Sequence, residues 1–290
     1  MFTLENPQNN FEPIEIVGVP EENEPKARTT AEKLRDGCDK VISLFCSEFI
    51  VDGKEKITSV LEKDPSAKLI LAASHLSNLD APAAVKALGD EIDIQITFES
   101  VLLKSLPHNI MFGAAGKESF SPLKYAKEKG GKHGVFDPKD FDKLSEDIQN
   151  GKTPWMAVHP FTKKEKMQAT KIGSVYLSHK TGAKIVPTAL EFESGSMSLD
   201  GPGEIAKGLL SRAGGKGKAT YHIGKPIDLP NIDVGIIDLV FQKRITGKRV
   251  TQEEKKRFKE VHELLKEQAD QVAGIIASML PEEQRGSATK

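Results

Sequence analysis

Lys68-Leu-Ile-Leu-Ala-Ala-Ser-His75-Leu-Ser-Asn78-Leu-Asp80 is the stretch from which the rest of the chain can be read. Its apolar run, Leu69 to Ala73, is the length of a buried strand, and it ends in a small residue followed by a histidine. Asp80 comes next, ahead of a helix-like segment whose Pro82 suits a first helical turn. The spacing predicts that His75 and Asp80 stand together at the carboxyl end of a strand, where open α/β sheets bind their ligands. A carboxylate beside an imidazole fixes its tautomer and stabilises the imidazolium formed when the ring takes a proton. Such a pair can act as a general base on an alcohol.

Outward from this stretch, strand and helix patterns alternate. Ile92 to Phe98 alternates apolar and polar residues as a strand, and Gly134 to Phe136 reads as a short strand or edge. Asp140 to Asn150 has helical spacing and closes on Gly151, and Trp155 to Val158 is a further buried strand. Lys171 to His179 reads as a helix stopped by Gly182. Lys184 to Leu190 is a strand whose Pro187 requires an edge or a bulge. Thr220 to Ile227 is a strand with a turn. Such alternation predicts an α/β fold with a mostly parallel central sheet flanked by helices, carrying helical N- and C-terminal additions.

The expected organisation runs in four parts. Residues 1–28 form a loose acidic arm, with six acidic residues against Lys26 and Arg28. Residues 29–64 form a helical layer, capped at Thr29 or Thr30, with Leu34, Cys38, Val41, Ile42, Phe45 and Phe49 at helical spacing. Residues 65–230 form the catalytic domain. Residues 231–290 are a C-terminal helical segment dominated by an amphipathic stretch from Gln252 to Leu280.

Composition excludes several classes. A net charge of −1 gives no general pull towards nucleic acid. No apolar run approaches the ~18 residues of a membrane span, and Met1 to Asn6 lacks the basic and apolar regions of a signal peptide. The expected location is cytoplasmic, peripheral on the inner face of a membrane. Two cysteines, Cys38 and Cys46, stand without a Cys/His cluster, so reduced core residues and no metal are expected. Gly113-x-x-Gly116-Lys117 lacks both the spacing of a phosphate loop and a Ser or Thr after the lysine. A dinucleotide site would need glycines where His75-Leu-Ser-Asn-Leu-Asp80 stands.

Taken together, the motifs have a recognisable order. His75-x-x-x-x-Asp80 is followed by Gly134-Val-Phe-Asp137, and then by Pro160-x-Thr162-Lys163. Next come Lys171-x-Gly173, the run Thr181-Gly-Ala-Lys-Ile185-Val186-Pro187, and Ile223-Gly-Lys-Pro-Ile227. Over residues 65–230 this resembles the glycerolipid acyltransferase family, which includes glycerol-3-phosphate and 1-acyl-glycerol-3-phosphate acyltransferases, and is most similar to the soluble glycerol-3-phosphate type.

The resemblance implies transfer of a fatty acyl group from a thioester of coenzyme A or acyl carrier protein to a hydroxyl of glycerol-3-phosphate or lysophosphatidate, in phospholipid biosynthesis. No cofactor is implied beyond that co-substrate. His75 would be the general base and Asp80 its orienting partner, with Ser77 and Asn78 positioning substrate. Asp137, Lys139, His159, Thr162, Lys163, Lys171 and Gly173 would bind the phosphorylated acceptor. Ile185, Val186 and Pro187 would line the acyl or thioester channel. A positioned imidazole typically contributes ~10²–10⁴-fold by accepting a hydroxyl proton. The chain has no Gly-x-Ser-x-Gly elbow, which favours direct transfer over an acyl-enzyme.

Two motifs depart from the family pattern. Pro138 and Lys139 follow Asp137 where the family has an arginine, and His159-Pro-Phe-Thr-Lys163 replaces Pro-Glu-Gly-Thr-Arg. Lysine binds phosphate as a point charge and loses the bidentate fork of arginine. An acceptor other than glycerol phosphate, or a catalytically idle member that binds lipid or a partner, is therefore the alternative.

Overall fold

The computed structural model describes residues 29–99, 120–123, 125–127, 134–136, 138–159, 170–193, 202–215 and 217–285. The strand opening the decisive stretch, β2 (Leu69–Ala73), is buried along its whole length. Strands covered on both faces read as continuous apolar runs, which is why this one lacks alternation. Burying side chains such as Leu69, Ile70 and Leu71 contributes about 1.5–3 kcal/mol each.

Around β2 the other strands form one seven-stranded sheet. In chain order they are β1 (Glu48–Asp52), β3 (Asp93–Glu99), β4 (Phe120–Leu123), β7 (Lys152–Ala157), β8 (Lys184–Phe192) and β9 (Lys218–Ile223). The spatial order is β1-β9-β8-β2-β7-β3-β4. Neighbours run parallel except β8 and β9, so the sheet is mostly parallel, as the strand–helix alternation predicts. A separate antiparallel pair joins β5 (Tyr125–Lys127) to β6 (Gly134–Phe136).

Period-two alternation divides the sheet's side chains between two cores. Leu69, Leu71 and Ala73 face α1 (Thr30–Phe45), α2 (Lys54–Lys63) and α3 (Asp80–Leu88). Ile70 and Ala72 face the opposite layer, made by α4 (Pro138–Gln149), α5 (Gly173–Thr181), α7 (Gly235–Thr246) and the long α8 (Gln252–Ser278). Helix α6 (Pro202–Ala213) precedes β9, and α9 (Glu282–Arg285) ends the described chain. Both α1 and α8 start with a capping box, Thr29 with Glu32 and Thr251 with Glu254.

The N-terminal layer differs from expectation in one respect. Helix α1 stops at Phe45, and Phe49 lies in β1, which pairs in parallel with β9. The spacing that joined Phe49 to the helix is a coincidence of strand and helix periods. Residues 29–64 therefore give the sheet its edge strand as well as helical cover.

Pro187 does sit at a bulge. Thr188 pairs with Ile223 and Ile185 with Ile227, so three steps along β8 face four along its partner. The Gly224 N–H donates to the Pro187 carbonyl at 2.8 Å across this bulge. A Cβ on Gly224 would stand 3.2 Å from Pro187 Cβ, so glycine is what allows the approach.

Candidate active site

The loop between β2 and α3 brings His75 and Asp80 together. No side chain caps α3. Instead Asp80, in its first turn, reaches back and accepts a hydrogen bond from the Ser77 N–H at 2.7 Å. The Ser77 hydroxyl accepts from the Leu79 N–H at 3.1 Å, which tightens the loop. The same Asp80 oxygen, Oδ2, lies 3.5 Å from His75 Nδ1.

The two side chains differ in exposure. Asp80 is 2% exposed, whereas the His75 ring is 25% exposed. Nδ1 lies on the buried side of that ring. A carboxylate facing Nδ1 is the arrangement by which an orienting acid serves a general base that works through Nε2.

Burial pushes the Asp80 carboxyl above its ordinary value, while His75 and the N–H groups of Ser77 and Leu76 pull it down. Burial outweighs them. The start of α3 adds a positive helix pole to the site.

Two further side chains hold His75 in place. His159, at the end of β7 and wholly buried, accepts the His75 backbone N–H on Nε2 at 3.1 Å. In that role it carries its proton on Nδ1. Trp155 meets the His75 ring edge-on, with centroids 5.7 Å apart and planes at 80°. His159 was expected to face substrate; the structure places it behind His75 because β7 lies directly beside β2. Trp155 was read only as part of a buried strand. Its being the chain's single tryptophan, four residues before His159, is the signal that sequence offered.

The remaining candidate residues lie in several places. Ser77 is buried and turned into the loop, and Asn78 is half-buried beside it. Lys171 is half-buried, and its N–H donates to the Val158 carbonyl at 2.7 Å, which holds it next to His159. Gly173 opens α5, where a Cβ would stand 3.3 Å from Met156 Cε. Lys139 is exposed in the first turn of α4. Asp137, Thr162 and Lys163 lie outside the described residues.

Ile185 and Val186 require a correction. Each is 0% exposed, Ile185 in the core under α5 and α8 and Val186 in the core under α3. Adjacent strand residues point to opposite faces, so the two cannot line one channel. Pro187, also buried, belongs to the bulge.

The other histidines among the described residues have structural partners. His179 bonds Gln268 at 2.6 Å, His222 lies between Asp52 and Glu191, and His262 stacks on Phe258. No helix among the described residues is long and apolar enough to cross a membrane.

No protein-family model matches the chain, and no curated protein matches it significantly. Among solved structures the chain is similar to the 1-acyl-sn-glycerophosphate (LPA) acyltransferase, PlsC, from Thermotoga maritima. The two are 16% identical with a TM-score of 0.43, over 83% of this chain and 79% of that one. Likeness at this level assigns no function to this chain.

Proposed function

We propose that the protein is an O-acyltransferase that moves a fatty acyl group from a coenzyme A or acyl carrier protein thioester to a hydroxyl of glycerol-3-phosphate or lysophosphatidate. One observation carries the reading: a partly exposed His75 is backed, 3.5 Å from Nδ1, by a buried Asp80 carboxylate at a strand's carboxyl end. The order of the sequence motifs supports it.

The chemistry is a single displacement. His75 Nε2 takes the proton of the acceptor hydroxyl as its oxygen forms a bond to the thioester carbonyl carbon. The carbon–sulfur bond then breaks, and the departing thiolate takes the proton back from the imidazolium. Asp80 holds the ring in register and stabilises its charged form. Lys139, Lys163 and Lys171, with Asp137, Asn78 and Thr162, would bind the acceptor, its phosphate against the lysines. A lipid product leaves to a bilayer, so peripheral contact with an anionic membrane fits the activity.

A second reading is favoured by His159-Pro-Phe-Thr-Lys163, which lacks the glutamate and arginine of the family's third motif. Here the same His75 and Asp80 acylate a hydroxyl on something other than glycerol phosphate.

Thiol release from palmitoyl-coenzyme A and palmitoyl-acyl carrier protein, with glycerol-3-phosphate or lysophosphatidate as acceptor, tests both. Acceptor-dependent release that His75→Ala abolishes supports the proposal and identifies the donor. Release unchanged in His75→Ala removes His75 as the base. Silence with these acceptors but release with other alcohols selects the second reading, and silence with every acceptor leaves a lipid- or partner-binding protein.

A further inference from the structure

Four buried polar atoms close no well-aligned hydrogen bond within the protein. They are Asp80 Oδ1, Trp155 Nε1, Thr188 Oγ1 and Tyr221 Oη. Their residues are 1%, 3%, 0% and 1% exposed. Native interiors pair more than nine in ten such groups, so a cluster of four needs an explanation.

The sheet brings them together from four elements. Trp155 on β7, Thr188 on β8 and Tyr221 on β9 share the face covered by α3, whose first residue is Asp80. Between Trp155 and Thr188 stands Ala73 of β2, directly opposite Thr188 and two residues beyond Leu71, the partner of Trp155. Ala73 presents only a methyl group there. The Tyr221 phenol, which burial raises above its ordinary value, also interacts with Thr188, Asp80 and Trp155.

Their chemistry is complementary. An indole N–H only donates, a carboxylate only accepts, and the two hydroxyls do both. Trp155 and Thr188 can donate to the Tyr221 oxygen, which leaves the phenol proton for Asp80 Oδ1. A single buried water with two to four polar partners would complete such a set.

We infer that Tyr221, supported by Trp155 and Thr188, is a positioning residue: its hydroxyl proton is directed at Asp80 Oδ1, with a buried water completing the set, and holds the carboxylate as an anion facing His75. The role rests on the reading of His75 and Asp80 as the working pair. Among the described residues, the titratable groups that interact with Asp80 are His75 from the β2–α3 loop and Tyr221 from β9. Removing the phenol proton therefore withdraws a donor from the carboxylate and introduces no charge.

The test follows the Asp80 carboxyl carbon by NMR against pH in the full chain carrying ¹³C-labelled aspartate, with Asp80→Asn giving the assignment. In Tyr221→Phe the Asp80 midpoint rises by at least about half a pH unit, since a hydrogen bond to the charged form is lost. Thr188→Val moves it the same way by less. Tyr176→Phe removes another buried phenol, one bonded to Asp238, and leaves the Asp80 midpoint unmoved. The acidic limb of kcat/KM moves with the carboxyl in Tyr221→Phe. Should Tyr221→Phe lose its cooperative melt, Thr188→Val carries the test. An Asp80 midpoint that stays put in the folded variants overturns the inference, because a packing role for Tyr221 predicts that result. Failure of the acyltransferase reading would appear separately, as a wild type without transfer whose Asp80 still responds to Tyr221→Phe.

Discussion

The backbone N–H of His75 donates to the imidazole Nε2 of His159 across 84 residues of sequence, at 3.1 Å. His159 thus fixes the backbone from which the His75 ring projects. His159→Phe leaves that partly buried N–H unpaired, at a cost of about 1–3 kcal/mol. A displaced ring also lowers kcat of the proposed transfer by roughly 10–100-fold, more than KM changes. His159→Gln, which keeps an acceptor, recovers part of the loss. Steady-state kinetics of the two variants decide it, and equal defects would remove the hydrogen bond as the cause.

Asp80 sets stability against activity. Burial raises its carboxyl above the ordinary value of 3.8, so the folded state holds that proton more tightly than the unfolded chain. The favourable contribution is present below that value and is lost as pH rises through the window above it. Asp80→Asn therefore melts higher than wild type at pH 7, by a margin that shrinks towards pH 4. The same variant loses transfer on the order of 10³–10⁴-fold, because an amide no longer favours the imidazolium. Melting curves at the two pH values check the first part, and a margin that grows towards acid would contradict it.

Gly53 and Gly151 provide a controlled comparison. Both adopt left-handed backbone, at φ 87° and 86°. A Cβ on Gly151 meets nothing within 4 Å, whereas one on Gly53 would stand 2.3 Å from the Ile223 carbonyl oxygen. Lys56 Nζ donates to that same oxygen at 2.8 Å. Gly151→Ala costs about 1–2 kcal/mol of conformational strain alone. Gly53→Ala costs roughly a further 1–3 kcal/mol, because β1 and the end of β9 must separate. Denaturant midpoints measure the difference, and equal losses would show that β9 yields without cost.

The two cysteines are core residues with suppressed reactivity. Burial pushes the Cys38 thiol up to about 12, with Asp39 adding to it. Burial likewise raises Cys46 to about 11 against the opposing charges of Lys86 and Arg212. Reaction needs the thiolate. Both thiols should resist an aromatic disulfide reagent at pH 8 in the native protein and react at once in guanidinium. Fast native labelling of either would contradict the burial.

What the chain determined by itself is what local period and turn chemistry can encode. The apolar run Leu69 to Ala73 became a buried strand, Asp80 opened a helix within reach of His75, and Thr29 capped α1. Strand–helix alternation was enough for a mostly parallel sheet, and Pro187 implied an edge or a bulge, of which the structure has the bulge. Only the tertiary structure decided which strands are neighbours. Period assigns a residue to a face of a strand but says nothing about the strand that lies alongside. The order β9-β8-β2-β7 therefore placed His159 behind His75, and Trp155 and Tyr221 in the core that α3 covers. It also sent Ile185 and Val186 into separate cores and made Phe49 part of an edge strand. Each of those outcomes depends on pairing between segments far apart in sequence, where packing and hydrogen-bond registry, not local propensity, select the partner.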